Sequence, residues 1–152
     1  MSLRDMLQTA LKEAMKAKAA ARLSTLRLIN AAIKDRDIAN RGEGGSGEIS
    51  ESDILAVLGR MVKQRQESAR AYEEGGRLEL VEKELAEIKV IEEYLPRQLS
   101  ADEVEAAIAA AITEAGATSI RDMGKVMGIL KTTYTGQMDF GAVGPRIKDR
   151  LG

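Results

Sequence analysis

Tyr94-Leu95-Pro96-Arg97-Gln98-Leu99-Ser100 is the stretch on which the reading of this chain turns. Pro96 has no backbone N–H and its ring crowds the preceding turn, so a helix arriving at Tyr94 or Leu95 cannot run through it. Ser100 followed by Glu103 has the form of a capping box, which opens a new helix at once. Tyr94, Leu95 and Leu99 are too apolar for a solvated linker. A packed elbow between two domains, residues 1–95 and 96–152, and an ordinary corner inside one domain both satisfy the local sequence.

Upstream of the elbow, Leu78, Val81, Leu85, Ile88, Ile91 and Leu95 step by three or four, the spacing of a helix with one apolar face. Glu79/Lys83, Lys83/Glu87 and Lys89/Glu93 are opposite charges at i,i+4, each worth roughly 0.2–0.5 kcal/mol. Gly75-Gly76 precedes this helix, and Ile54, Leu55, Leu58, Met61 and Val62 form another stripe before it. Ser50 with Asp53 resembles its cap. The short Gly-Gly connection predicts a helical hairpin of 51–74 against 77–95. Further back, Gly42–Gly47 reads as a flexible loop. Leu3, Met6, Leu7, Leu11 and Met15 predict a first helix, and Leu23, Leu26, Ile29 and Ile33 a second. The stripe weakens around Lys16–Ala21, where a break and a phase slip in one continuous helix both fit.

Downstream, Val104, Ile108, Ala111 and Ile112 form a stripe ending near Gly116. Ser119 with Asp122 reads as the start of a helix carrying Ile120, Met123, Val126, Met127 and Leu130. Phe140, Val143, Ile147 and Leu151 make a last one. No period-two run reads as a strand, so the expected class is all-α: an N-terminal helical domain with a hairpin, then a small three-helix domain.

Only 3% of the 152 residues are aromatic while 31% are charged, which favours helices with an aliphatic core. The chain has no cysteine and no histidine. That removes thiol chemistry, disulfides, the commonest general base and the commonest metal ligand. No serine has an activating partner in a recognisable motif, and Glu92-Glu93 face different ways on a helix. No catalytic residue, metal ligand or cofactor is therefore expected. No apolar stretch approaches the ~20 residues that span a bilayer, and no secretory address is visible, so no membrane association and a cytoplasmic location are expected.

Net charge is −1, yet residues 1–41 hold nine Lys/Arg against four carboxylates, net +5. This basic segment reads as a solvated helix surface or as a phosphate-binding face. No aromatic residues interleave with the basic ones as a stacking platform would require, which favours the first reading. Gly124-Lys125-Val126-Met127-Gly128 puts two glycines one turn apart inside a helix, each costing about 0.8–1 kcal/mol relative to Ala. Close packing of another helix is the commoner reason for such glycines; close approach of a ligand backbone is the functional one. No strand precedes them and no Gly-Lys-Ser/Thr follows, so this is not a P-loop.

Four blocks resemble, in order, the GatB/YqeY family in its free-standing form: residues 22–34, 63–68, Glu92-Glu-Tyr-Leu-Pro-Arg-Gln-Leu-Ser100 and Asp122-Met-Gly-Lys-Val-Met-Gly128. The Gly-rich 42–47 stretch and Gly136-Gln-Met-Asp139 depart from the family pattern. The resemblance implies a larger N-terminal helical domain and a three-helix C-terminal domain. The latter is similar to the tail of the B subunit of glutamine-dependent aspartyl/glutamyl-tRNA amidotransferase, which contacts tRNA while chemistry occurs elsewhere. It thus implies a non-catalytic tRNA-binding or adaptor module. Its alternatives are docking on a translation or aminoacyl-tRNA enzyme without RNA contact, or an accessory role in amidotransferase (carbon–nitrogen ligase) activity. The residues expected to meet RNA phosphate are Arg121 and Lys125, with Lys131 peripheral, beside the close-approach glycines Gly124 and Gly128.

Overall fold

The computed structural model describes residues 2–42 and 47–152, and every regular element among them is helical. The elements are α1 (Leu3–Lys16), α2 (Ala20–Gly42), α3 (Glu51–Glu74), α4 (Leu78–Glu92), α5 (Ala101–Ala115), a 3-10 turn (Ile120–Asp122), α6 (Met123–Thr133) and α7 (Phe140–Leu151). They form two compact units, Met1–Leu95 and Pro96–Gly152. Of the expected Gly-rich loop, residues 43–46 lie outside the described residues; Gly42 is the last residue of α2 and Gly47 is buried at φ +99°.

In the first unit, Ser2 caps α1 by accepting the Asp5 N–H. The buried line of α1 is Leu3, Leu7, Ala10 and Ala14, not the expected line through Met6 and Met15, which are 43% and 52% exposed. The small alanines let α1 lie close against α2, and the methionines fall off that line. The weak stripe at Lys16–Ala21 is a true break. Lys18 is left-handed at φ +55°, the Ala19 N–H donates to Ala14 O at 3.1 Å and the Lys18 N–H to Met15 O at 3.3 Å, which closes α1 as a Schellman motif.

Leu26, Ile29 and Ile33 carry α2 into the core, where Ile54, Val57, Leu58, Met61 and Val62 of α3 and Ile88 and Ile91 of α4 meet them. Asp37 is buried at the edge of this core. It accepts a two-pronged contact from the Arg4 guanidinium, both bonds 3.0 Å, and the Ile49 N–H at 2.9 Å. The Arg4 bonds, with that amide, hold the Asp37 carboxyl below the usual carboxylate range.

The α3–α4 hairpin forms as its sequence predicts, turning at Gly75-Gly76. Its two helices are cross-linked by Arg65 Nε and Glu87 Oε2 at 2.8 Å. The apolar line of α4 is buried only in its second half. Leu78 and Leu85 are 63% and 52% exposed, whereas Ile88 and Ile91 are buried. Ile88 and Ile91 lie where α2 packs on the hairpin, close to the Arg22–Glu93 ion pair at 2.6 Å. Among the described residues of the first unit, no third element covers the leucines at this outer end.

At the elbow, Tyr94 and Leu95 pack on the core of the first unit and Leu99 on that of the second. Ser100 and Glu103 form the full capping box of α5, and Arg97 grips the same carboxylate at 2.9 and 2.8 Å. Val104, Ala107, Ile108, Ala111, Val126, Leu130, Val143 and Ile147 build the second core. Gly116, left-handed at φ +63°, ends α5. Ser119 does not cap the next helix as expected: its side chain makes no capping bond, and residues 120–122 wind as a 3-10 turn. The Asp122 side chain makes no capping bond to α6 either; it folds back to accept the Thr118 N–H at 3.0 Å.

Candidate nucleic-acid interface

The candidate site lies on α6. Val126 and Leu130, both fully buried, turn one face of this helix toward α5 and α7. Gly124 and Gly128 each lie two residues from Val126, about 200° round the helix, and so fall on the opposite face. Both are exposed, and a Cβ at either would meet nothing within 4 Å. The expected explanation, close packing by another helix, is therefore absent among the described residues. The helix loses about 0.8–1 kcal/mol at each glycine with no gain in packing.

Beside Gly128 runs a shallow open groove of about 510 Å³ between α5 and α6. Glu114 and Ala115 line it from α5, and Lys125, Gly128, Ile129, Thr132 and Thr133 from α6. The Thr132 hydroxyl donates to Gly128 O at 2.9 Å, which leaves its oxygen lone pairs free to accept. Lys125 brings positive charge and Glu114 negative charge, so the charges lining the groove cancel. The Asp122 carboxyl is held below its ordinary range by the Thr118 N–H and then the Ser119 N–H, with Lys125 adding to the effect.

Of the expected phosphate contacts, Lys125 and Gly128 share this groove. Arg121 and Lys131 are exposed but do not line it. Arg121 belongs to the 3-10 turn, so its four-residue spacing from Lys125 does not stack the two as an α-helix would. Two other C-terminal cations are engaged elsewhere: Arg146 and Arg150 both pair with Glu105 on α5.

A second concavity escaped the sequence reading. Arg4, Leu7 and Gln8 of α1 face Asn30, Ile33 and Lys34 of α2 across a cleft of about 150 Å³. Each helix supplies an i, i+3, i+4 set, polar at its ends and apolar between, and that spacing was the available signal. Among the described residues no group of three or more His, Cys, Asp or Glu side chains is placed to hold a metal, and no helix is long and apolar enough to cross a membrane.

The family model described as Yqey-like protein matches residues 4–151. Altered inheritance of mitochondria protein 41, mitochondrial, of Clavispora lusitaniae is 38% identical over 89 residues, covering 59% of this chain and 49% of that protein. The protein of the same name from Kluyveromyces lactis is 33% identical over 107 residues, covering 68% and 55%. The chain spans about half the length of the curated relatives it matches. Their names correct the expectation of a cytoplasmic location: these relatives are mitochondrial proteins, and an address missing from the stretch of sequence at hand assigns no compartment. With all but the first three residues and the last inside the matched region, the chain belongs to the Yqey-like protein family.

Proposed function

We propose that this protein is a non-catalytic module that binds tRNA through the outer face of α6. The observation that carries the reading is the pair of exposed glycines, Gly124 and Gly128, with open space where their Cβ atoms would be. A ribose–phosphate backbone can come against such a face at main-chain distance, with Lys125 and the Thr132 hydroxyl beside it. The resemblance of the C-terminal unit to the amidotransferase B-subunit tail supports the same reading. The lack of His and Cys argues against chemistry on this chain. The purified chain is accordingly expected neither to hydrolyse glutamine nor to transfer its amide to a charged tRNA. Robust turnover abolished by one point substitution would refute that.

The docking reading draws on a different observation. The outer end of the α3–α4 hairpin exposes Leu78 and Leu85, and residues 73–86 carry five Glu against Arg77 and Lys83, net −3. An acidic surface repels RNA and suits a basic protein. Fluorescence anisotropy of labelled tRNA at rising salt separates the two readings. Binding through α6 should be weak, with log K falling by roughly 0.7–0.9 per phosphate neutralised over two or three contacts. Arg121→Ala with Lys125→Ala should weaken it for all RNA sequences alike. Binding that survives this change intact moves the RNA contact off α6, and no binding even at low salt leaves the docking reading.

A further inference from the structure

We propose that the cleft between α1 and α2 is a binding site for a phosphate oxyanion. Its floor is apolar: Leu7 and Ile33 are 2% and 3% exposed. Its rim carries four polar side chains, Arg4 and Gln8 from one helix and Asn30 and Lys34 from the other, with no carboxylate among the lining residues. The cleft lies in the segment that carries the chain's excess positive charge, net +5 over residues 1–41.

Arg4 is held in place before any ligand arrives. Asp37 grips the two terminal nitrogens of Arg4, and the Ile49 N–H fixes Asp37 in turn. That grip uses two of the five guanidinium N–H donors and leaves three. The fork that would match a planar carboxylate is thus occupied. The remaining donors are the Arg4 edges, the two amides and the Lys34 ammonium, which approach from both walls of the cleft. Donors arranged on two sides suit the separate oxygens of a tetrahedral group. With the Arg4 charge offset by Asp37, Lys34 supplies the net charge of the cleft, which favours a singly charged phosphate over a dianion.

The same chemistry is offered by a nucleic-acid backbone and by a free phosphate, and one NMR experiment distinguishes them. The full chain, labelled with ¹⁵N, is titrated with inorganic phosphate, with sodium chloride at matched ionic strength, and with a short RNA duplex. Phosphate is expected to move the amide signals of residues 4–8 and 30–34 along a saturating curve, and chloride is not. The change Asn30→Leu with Lys34→Met should weaken that response more than tenfold. Gln8→Leu on the opposite wall should weaken it as well, so the result does not hang on one variant folding. RNA that moves the same signals at lower concentration than phosphate identifies a nucleic acid as the source. Phosphate acting alone identifies a small phosphorylated ligand. Equal shifts with chloride, or a response that persists in both variants, would overturn the site. The α6 signals, residues 124–133, are read in the same spectra, so failure of RNA at α6 and failure of this cleft are separately visible.

Discussion

Two pairs of glycines among the described residues have opposite surroundings. Gly75-Gly76 sits at the turn of the α3–α4 hairpin, where Gly76 has φ +72° and the chain must reverse. Its backbone is the reason for its residue type. Gly124 and Gly128 sit in the regular backbone of α6, with no left-handed angle and no neighbour within 4 Å of a Cβ. The first pair is explained from inside the chain. The second is not, and the proposed RNA contact is offered as the reason for it.

Truncating the buried face of the same helix should do the most damage, and it puts that contrast to its hardest trial. Leu130→Ala, at a fully buried position, should destabilise the protein by about 2–5 kcal/mol in denaturant unfolding. A loss within experimental error would mean that α6 does not anchor its unit. The opposite sign is expected on the outer face. Gly124→Ala with Gly128→Ala should raise stability by up to about 0.8–1 kcal/mol for each position, seen as a higher midpoint. Destabilisation there would reveal a close contact and restore a packing reason for the glycines. Gly76→Ala forces a Cβ into the left-handed region and should cost about 1 kcal/mol. A neutral result would erase the distinction between the two pairs.

The smallest effect concerns the start of the C-terminal unit. The Arg97 guanidinium and then the Ser100 N–H lower the Glu103 carboxyl to about 2. A lowered carboxyl contributes stability that is complete above its unfolded value, about 4.3, and is lost as pH falls toward the folded one. An NMR titration should place the Glu103 midpoint near 2, and Glu103→Gln should flatten the fall in stability across that window. An ordinary midpoint would show that the Arg97 contact does not persist in solution.

Most of this architecture is legible in periodicity and punctuation. Pro96, Gly75-Gly76 and the Ser100/Glu103 box mark boundaries because each acts on the backbone locally. What periodicity cannot tell is how many layers cover a stripe. Leu78 and Leu85 satisfy the helical repeat as well as Ile88 and Ile91 do, yet only the latter pair lies where α2 packs on the hairpin. Met6 and Met15 fail for a related reason, since Ala10 and Ala14 win the buried line by permitting a closer approach. The glycines of α6 were legible as an anomaly, but their cause was not, because an empty Cβ position is a property of the surroundings. The α1–α2 cleft depends on the register of two helices at once, which neither half of the pattern contains.

The measurement that bears most directly on the outer face of α6 is a tRNA titration of the wild-type chain and of the Gly124→Ala, Gly128→Ala double variant, run beside their unfolding curves. If the bare backbone is kept for RNA, two added methyl groups should make the protein more stable and weaken its binding by about tenfold, close to 1.4 kcal/mol. A variant that is more stable and binds tRNA as well as the wild type would contradict a role for the bare backbone in RNA binding.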